Sequence, residues 1–290
     1  MPGLWSALGE MGVLSLLARR RRGPGHGRGR PGPPARGSGV RRCARSADGA
    51  RRGGGPRARR GRERAPGGGA ERGVDLRGRA RRGGSHVVGA SSADVVVVET
   101  DGGLVAATEW ETTEATSIDQ SRRLSRIRTL GVSEPLVGAD GALAADRAVL
   151  GTAAECIGVA RRLLDSTVDY VADRHQFGKP VGSYQAVKHH LANVRLGIEF
   201  AAPLVYRAAW SIAHPESHDD VTRGRDVSMA KATAADAVDR ACRAALQCHG
   251  AIGYTFEYDL QLWLKRGWAL AAAYGDARHH RDRVADALGI

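Results

Sequence analysis

Residues 19–82 hold 22 arginines, no lysine and 4 acidic residues, and this stretch constrains the chain more than any other. It carries +18, while the 290-residue chain as a whole carries +13, which leaves −5 for the rest. A mildly acidic body is therefore joined to a very basic segment. Runs such as Arg19-Arg20-Arg21-Arg22-Gly23-Pro24 and Arg51-Arg52-Gly53-Gly54-Gly55-Pro56 cannot bury enough apolar surface to offset their chain entropy. Residues 19–84 are expected to be a disordered Arg/Gly/Pro segment. Whatever folds must come from the sequence on either side.

On the N-terminal side, Leu4, Leu8, Met11 and Leu14 recur at helical spacing, so residues 1–18 read as a short amphipathic helix. The apolar patch Val13 to Ala18 runs into a charge run where a signal-peptide cleavage site should be. No stretch of 18 apolar residues occurs, which excludes an ordinary membrane-spanning helix. Cys43, Cys156, Cys242 and Cys248 show no CxxC spacing, so neither a disulfide framework nor a zinc ribbon is expected, and a reducing cytoplasm fits.

After the basic segment the pattern changes to β. Ala93 to Glu99 is a valine run, Thr100-Asp101-Gly102-Gly103 is a turn, and Leu104 to Thr108 forms the return strand. A further strand is expected near Ser125 to Leu130. Residues 85–136 thus read as a small β-unit that needs a partner surface, because isolated hairpins are marginal in water.

Residues 140–290 are expected to be helical. Leu150, Ile157, Leu164 and Val171 recur every seven residues, with Ala153 and Ala160 between them, giving one apolar stripe. Gly178 and Pro180 stop this helix. The next carries Val187, Leu191, Val194, Ile198, Ala201 and Val205, with Pro203 expected to kink it. Further helices are expected over about Asp226–Cys248, Phe256–Tyr274 and Asp276–Leu288. Long helices with short connections predict an antiparallel bundle.

Two motifs in this half carry chemistry. Arg174-x-x-Phe177-Gly178-x-Pro180, followed by Gln185, places a guanidinium, an aromatic ring and an amide at a helix junction. Gln247-Cys248-His249-Gly250-Ala251-Ile252-Gly253-Tyr254-Thr255 places a glycine turn after a helix, followed by Glu257 and Arg266. Bidentate arginine donors suit a pyrophosphate. Backbone N–H groups in a glycine turn can approach an anion closely. In order and spacing, the two motifs resemble the C-terminal signature of the acyl-CoA dehydrogenase family over about residues 150–275. The resemblance implies a mainly α fold: an antiparallel bundle of that family's type, preceded by a partial middle β-domain and a remnant N-terminal helix. It also implies FAD held across a subunit interface in a homo- or hetero-oligomer. The implied FAD contacts are Arg174, Phe177, Gln185, Gln247, His249, Gly250 and Ala251, where Ala251 replaces a second glycine usual in the family.

The chemistry implied is α,β-dehydrogenation of an acyl-CoA thioester in fatty acid or lipid catabolism, with electrons passed to an electron-transfer flavoprotein. A carboxylate base removes the α-proton. Many members place a Glu directly after a Tyr behind the fourth helix, and here Gly275 follows Tyr274. Asp276 lies one position later and is the candidate base, with an N-cap of the last helix as the other reading. Asp146-Arg147 resembles another family position for the base, but stands two residues out of register, a rotation of about 200° on a helix. Glu155 reads as a carboxylate that is solvated or paired within the bundle. His189-His190 and His279-His280 are adjacent pairs that cannot face one site, and no metal motif occurs. Some bacterial members with a similar C-terminal Gly-Asp-x-x-x-His-Arg pattern act as the non-catalytic half of a mixed assembly, and that alternative stays open. So does an Arg/Gly arm for nucleic acid, although no aromatic is interleaved with its arginines for stacking. A third reading of residues 19–84 is a reading-frame slip in a GC-rich gene, testable by resequencing.

Overall fold

The computed structural model describes residues 58–60, 85–93, 95–100 and 103–290. The helix expected over 1–18, Cys43 and nearly all of the Arg/Gly/Pro segment lie outside the described residues. Ala58–Arg60 is an exception within that segment. It forms strand β1, whose backbone pairs antiparallel with Glu109–Glu111, which corrects the expectation of disorder at these three positions. The reason is an open strand edge, which recruits any extended backbone within reach.

The sheet is antiparallel and built on two long strands, β4 (Gly103–Glu114) and β5 (Leu124–Pro135). β2 (Ser85–Val88) covers the outer edge of β5. β3 (Val97–Thr100) and β1 divide the other edge of β4 between them. The valine-run hairpin is present, but its second strand continues six residues past Thr108. Thr108 to Thr113 contains no glycine or proline to stop it, and Trp110 anchors that stretch in a small core with Val87, Val96 and Ile127.

The C-terminal half consists of α1 (Gly141–Asp173), α2 (Gln185–Ala213), α3 (Asp220–His249), α4 (Leu260–Ala272) and α5 (Ala277–Leu288). Every residue of the expected α1 stripe is buried, as are Val194, Ile198, Ala201 and Val205 of α2. Pro203 does not interrupt α2. Its ring lies on the exposed face, where water can satisfy the carbonyl it leaves unpaired. The central helix α3 buries mostly alanines, including Ala230, Ala234, Ala237, Ala241 and Ala245, so neighbouring helices approach it closely. Asp140, Asp219 and Asp276 cap α1, α3 and α5, each carboxylate accepting the N–H three residues on.

Arg266 of α4 joins the sheet to the bundle. It donates to Asp119 and Ser121 in the loop between β4 and β5, and also to Glu155 of α1. Arg122 of the same loop donates to the Ala269 carbonyl at 3.3 Å. Glu155 is therefore a carboxylate paired within the bundle. Among the described residues, no helix is long and apolar enough to cross a membrane.

Candidate functional site

Helix α1 ends at Arg174, whose N–H still bonds the Tyr170 carbonyl at 2.9 Å while its backbone turns extended. Its exposed guanidinium makes no ion pair among the described residues. A two-residue hairpin follows, with His175–Gln176 paired to Lys179–Pro180 (β6 and β7). Phe177 and Gly178 are its corner, both at positive φ, 52° and 81°, the type I′ geometry of tight hairpins. A phenylalanine in the left-handed region is strained, and this one is also 94% exposed. Tyr184 braces the hairpin by donating to the Gln176 carbonyl at 3.1 Å, while the Lys179 ammonium sits 4.3 Å from its ring centroid. Gln185 then opens α2 with its amide exposed and unbonded among the described residues.

The second motif lies at the end of α3. Gln247 is exposed and lines a polar groove of about 720 Å³ between α2 and α3, together with His190, Asn193, Arg240 and Arg243. Gly250 has φ 62° and ψ −138°, a conformation that suits only glycine. A β-carbon built there meets nothing within 4 Å, so the turn opens onto free space. Ala251 continues exposed into a short 3-10 turn, Gly250–Tyr254. His249 differs from its neighbours. Its side chain is buried against Tyr170, with the two rings stacked at 4.2 Å, which makes it a supporting residue of the turn.

The sequence signature of the acyl-CoA dehydrogenase C-terminal domain matches residues 139–289, just over half of the chain. The chain belongs to the acyl-CoA dehydrogenase family. Acyl-CoA dehydrogenase IpdE2 of Mycolicibacterium smegmatis is 35% identical over 201 residues, 68% of this chain and 60% of that protein. IpdE2 of Mycobacterium tuberculosis is 36% identical over 181 residues, 62% of this chain and 53% of its own length. A glutaryl-coenzyme A dehydrogenase solved with glutaryl-CoA superposes with a TM-score of 0.61 at 25% identity, covering 71% of this chain and 58% of that one. The chain thus spans little more than half the length of these relatives.

The loop after α4 is where many members of this acyl-CoA dehydrogenase family carry their carboxylate base. Here Asp276 is exposed and accepts the His279 N–H at 2.8 Å, and that bond holds its carboxyl below the usual carboxylate range. It is the N-cap of α5. Tyr274 and Gly275 precede it at φ 55° and 104°. A β-carbon at Gly275 would lie 2.5 Å from His279 Cδ2 and 2.9 Å from His280 Nε2. The fully buried Lys231 clamps this loop, donating to the carbonyls of Ala271 at 2.9 Å and Gly275 at 3.0 Å. His280 completes the clamp. Its Nε2 faces the Tyr274 carbonyl at 3.1 Å and must carry the proton, which leaves Nδ1 to accept from Ser228 Oγ at 3.3 Å.

Burial and the Lys231 charge push His280 down to about 4, against 6.5 for a free imidazole. The unfolded chain then takes up this proton more readily than the native one. Stability from His280 is complete above pH 6.5 and is lost as pH falls from there towards 4. Urea melts at pH 7 and pH 5 should show this loss, and His280→Gln should reduce the difference between the two. Burial also lowers His249, so comparison of the variant with its parent isolates the His280 share.

Asp146 does not face this loop. It is buried and paired with Arg223 at 2.9 Å and Arg283 at 3.6 Å. The two-residue register shift therefore places it inside the bundle as an ion-pair partner. The sequence reading missed Lys231, although a signal was available. Val227, Lys231, Ala234 and Val238 follow the apolar spacing of α3, and all four are fully buried. A lysine in phase with such a stripe reports a buried cation with carbonyl partners.

Proposed function

We propose that this chain is a subunit of a flavin-dependent acyl-CoA dehydrogenase, acting in the cytoplasm on an acyl-CoA thioester. The supporting observation is a set of unspent binding groups at adjoining helix ends. Arg174, Gln185 and Gln247 are exposed and unpaired among the described residues, Phe177 is strained and exposed, and the Gly250 turn is open. These groups fit a dinucleotide diphosphate. Arg174 would hold the pyrophosphate, the Gly250 and Ala251 backbone would offer it N–H groups, Phe177 would offer its ring to a flat surface, and the two glutamines would bind polar edges. FAD, when bound, accepts the hydride from the acyl β-carbon. The protein's share is binding, orientation and exclusion of water. A site made only of exposed groups is one wall, so a neighbouring subunit supplies the other. Electrons leave to an electron-transfer flavoprotein. Residues 85–136 and 140–290 are the two folded units of this arrangement.

Asp276 is the carboxylate nearest the family's base position. Its commitment to capping α5 favours a second reading, in which the chain is a non-catalytic partner lending Arg174 and Gln247 to a catalytic homologue's flavin. A role in nucleic-acid binding is less favoured, because the arginines of residues 19–84 have no Phe, Tyr or Trp interleaved with them for stacking.

An absorbance spectrum of the purified full chain, alone and after co-expression with a homologous subunit, tests the proposal. A flavin band released on denaturation is expected. Arg174→Ala should weaken FAD binding by about 10- to 100-fold, the worth of a charge-assisted hydrogen-bond pair. A colourless protein that takes up no added FAD in either preparation overturns it. Turnover by the chain alone, abolished by Asp276→Asn, would decide against the partner-subunit reading.

A further inference from the structure

The two motifs lie 73 residues apart, from Arg174 to Gln247, and a ring stack between α1 and the end of α3 links them. Tyr170 stands one helical turn before Arg174, and its carbonyl accepts the Arg174 N–H that ends α1. Its ring lies over that of His249 at 4.2 Å and 16° between planes. Its hydroxyl reaches the His249 carbonyl at 3.5 Å, the long end of a hydrogen bond. His249 is the last residue of α3, immediately before the Gly250 turn, and Tyr258 closes the cluster edge-on at 6.1 Å from Tyr170.

The polar atoms of His249 favour this bridge over ordinary packing. Its Nδ1 lies 2.8 Å from the Ala245 carbonyl and therefore carries the proton. Its Nε2 is then a bare lone pair, buried without a partner among the described residues. A buried acceptor left unmatched costs free energy that an apolar ring in the same place would avoid. A side chain kept at that cost fits a role in fixing local geometry.

We infer that Tyr170 and His249 form a stacked clasp that fixes the Arg174 end of α1 against the Gly250 turn, and thereby sets the affinity of the chain for a dinucleotide diphosphate. Both are positioning residues and touch the ligand only through their neighbours. The ligand half of this inference rests on the FAD reading proposed above. The clasp itself does not.

The experiment uses the full chain with Tyr170→Ala and His249→Ala, and with Tyr170→Phe and His249→Phe, which retain a ring. Amide hydrogen exchange without cofactor reads the clasp at Arg174 and Gly250, whose N–H groups bond Tyr170 and Leu246. FAD titration reads the ligand. The alanine variants should speed exchange at both amides together and weaken FAD binding by about tenfold, the order expected for an aromatic pair. The phenylalanine variants should restore most of both. Unchanged exchange at either amide in Tyr170→Ala overturns the clasp. Faster exchange at both with unchanged FAD affinity overturns its link to the dinucleotide. Faster exchange at both amides in the alanine variants, with a parent chain that takes up no FAD, supports the clasp and overturns the flavin reading.

Discussion

Lys231→Ala is expected to destabilise the bundle by about 3–5 kcal/mol, with a fall in Tm of roughly 10 °C or more. Two effects add. The variant strips the Ala271 and Gly275 carbonyls of their donor where water cannot replace it, and it leaves a cavity the length of a lysine stem in the centre of α3. Lys231→Met separates the two. The thioether fills most of the space but donates nothing, so its cost should fall to about 2 kcal/mol, the share of the lost hydrogen bonds. Denaturant melts of the three proteins give the ordering. If both variants lie within about 1 kcal/mol of the parent, the loop between α4 and α5 is held by something other than this cation.

The second large effect is expected at Asp146. It and Arg223 are 3% and 5% exposed, so Asp146→Ala leaves a guanidinium inside the bundle. Removing one partner of a buried pair costs about 3–5 kcal/mol. The lower end is expected here, because Asp220 still bonds Arg223 from the solvent side at 2.5 Å. The double variant Asp146→Leu, Arg223→Met should recover most of that loss, since a well-packed apolar pair avoids the desolvation both charges bear. If the double variant is no better than the single one, the pair is needed for specificity of packing as well as for charge balance.

These two sites mark where sequence reading succeeds and where it stops. Periodicity placed the α1 stripe residue by residue, because a 33-residue helix repeats its signal many times. The hairpin at Gly103 was readable from the valine run, the turn residues and the return strand together. β2 was not, since four residues beside a glycine-rich run have no meaning until β5 pairs with them. The same holds for β1, which exists only because β4 has an uncovered edge. At the candidate site, Arg174, Phe177 and Gly250 were legible from the order and spacing of two short motifs, and Gly250 also because its backbone suits only glycine. Tyr170 was not, because its role depends on a ring 79 residues away. Asp146 was visible as a carboxylate out of register, but its partners lie on α3 and α5, and no local pattern on α1 names them.

The packing around Gly275 has a consequence for the history of this chain. A change from glycine to glutamate needs one nucleotide in half of the glycine codons, so in genetic terms the step is short. In the folded protein it is long. The new side chain would need a backbone at φ 104°, displacement of the His279 ring, and room that the buried His280 does not leave. Placing a carboxylate there requires the rings behind it to change first, and His280→Gln alone would not relax the backbone. The position therefore behaves as a ratchet. Selection acting one substitution at a time would find glycine here easier to keep than to exchange for a glutamate.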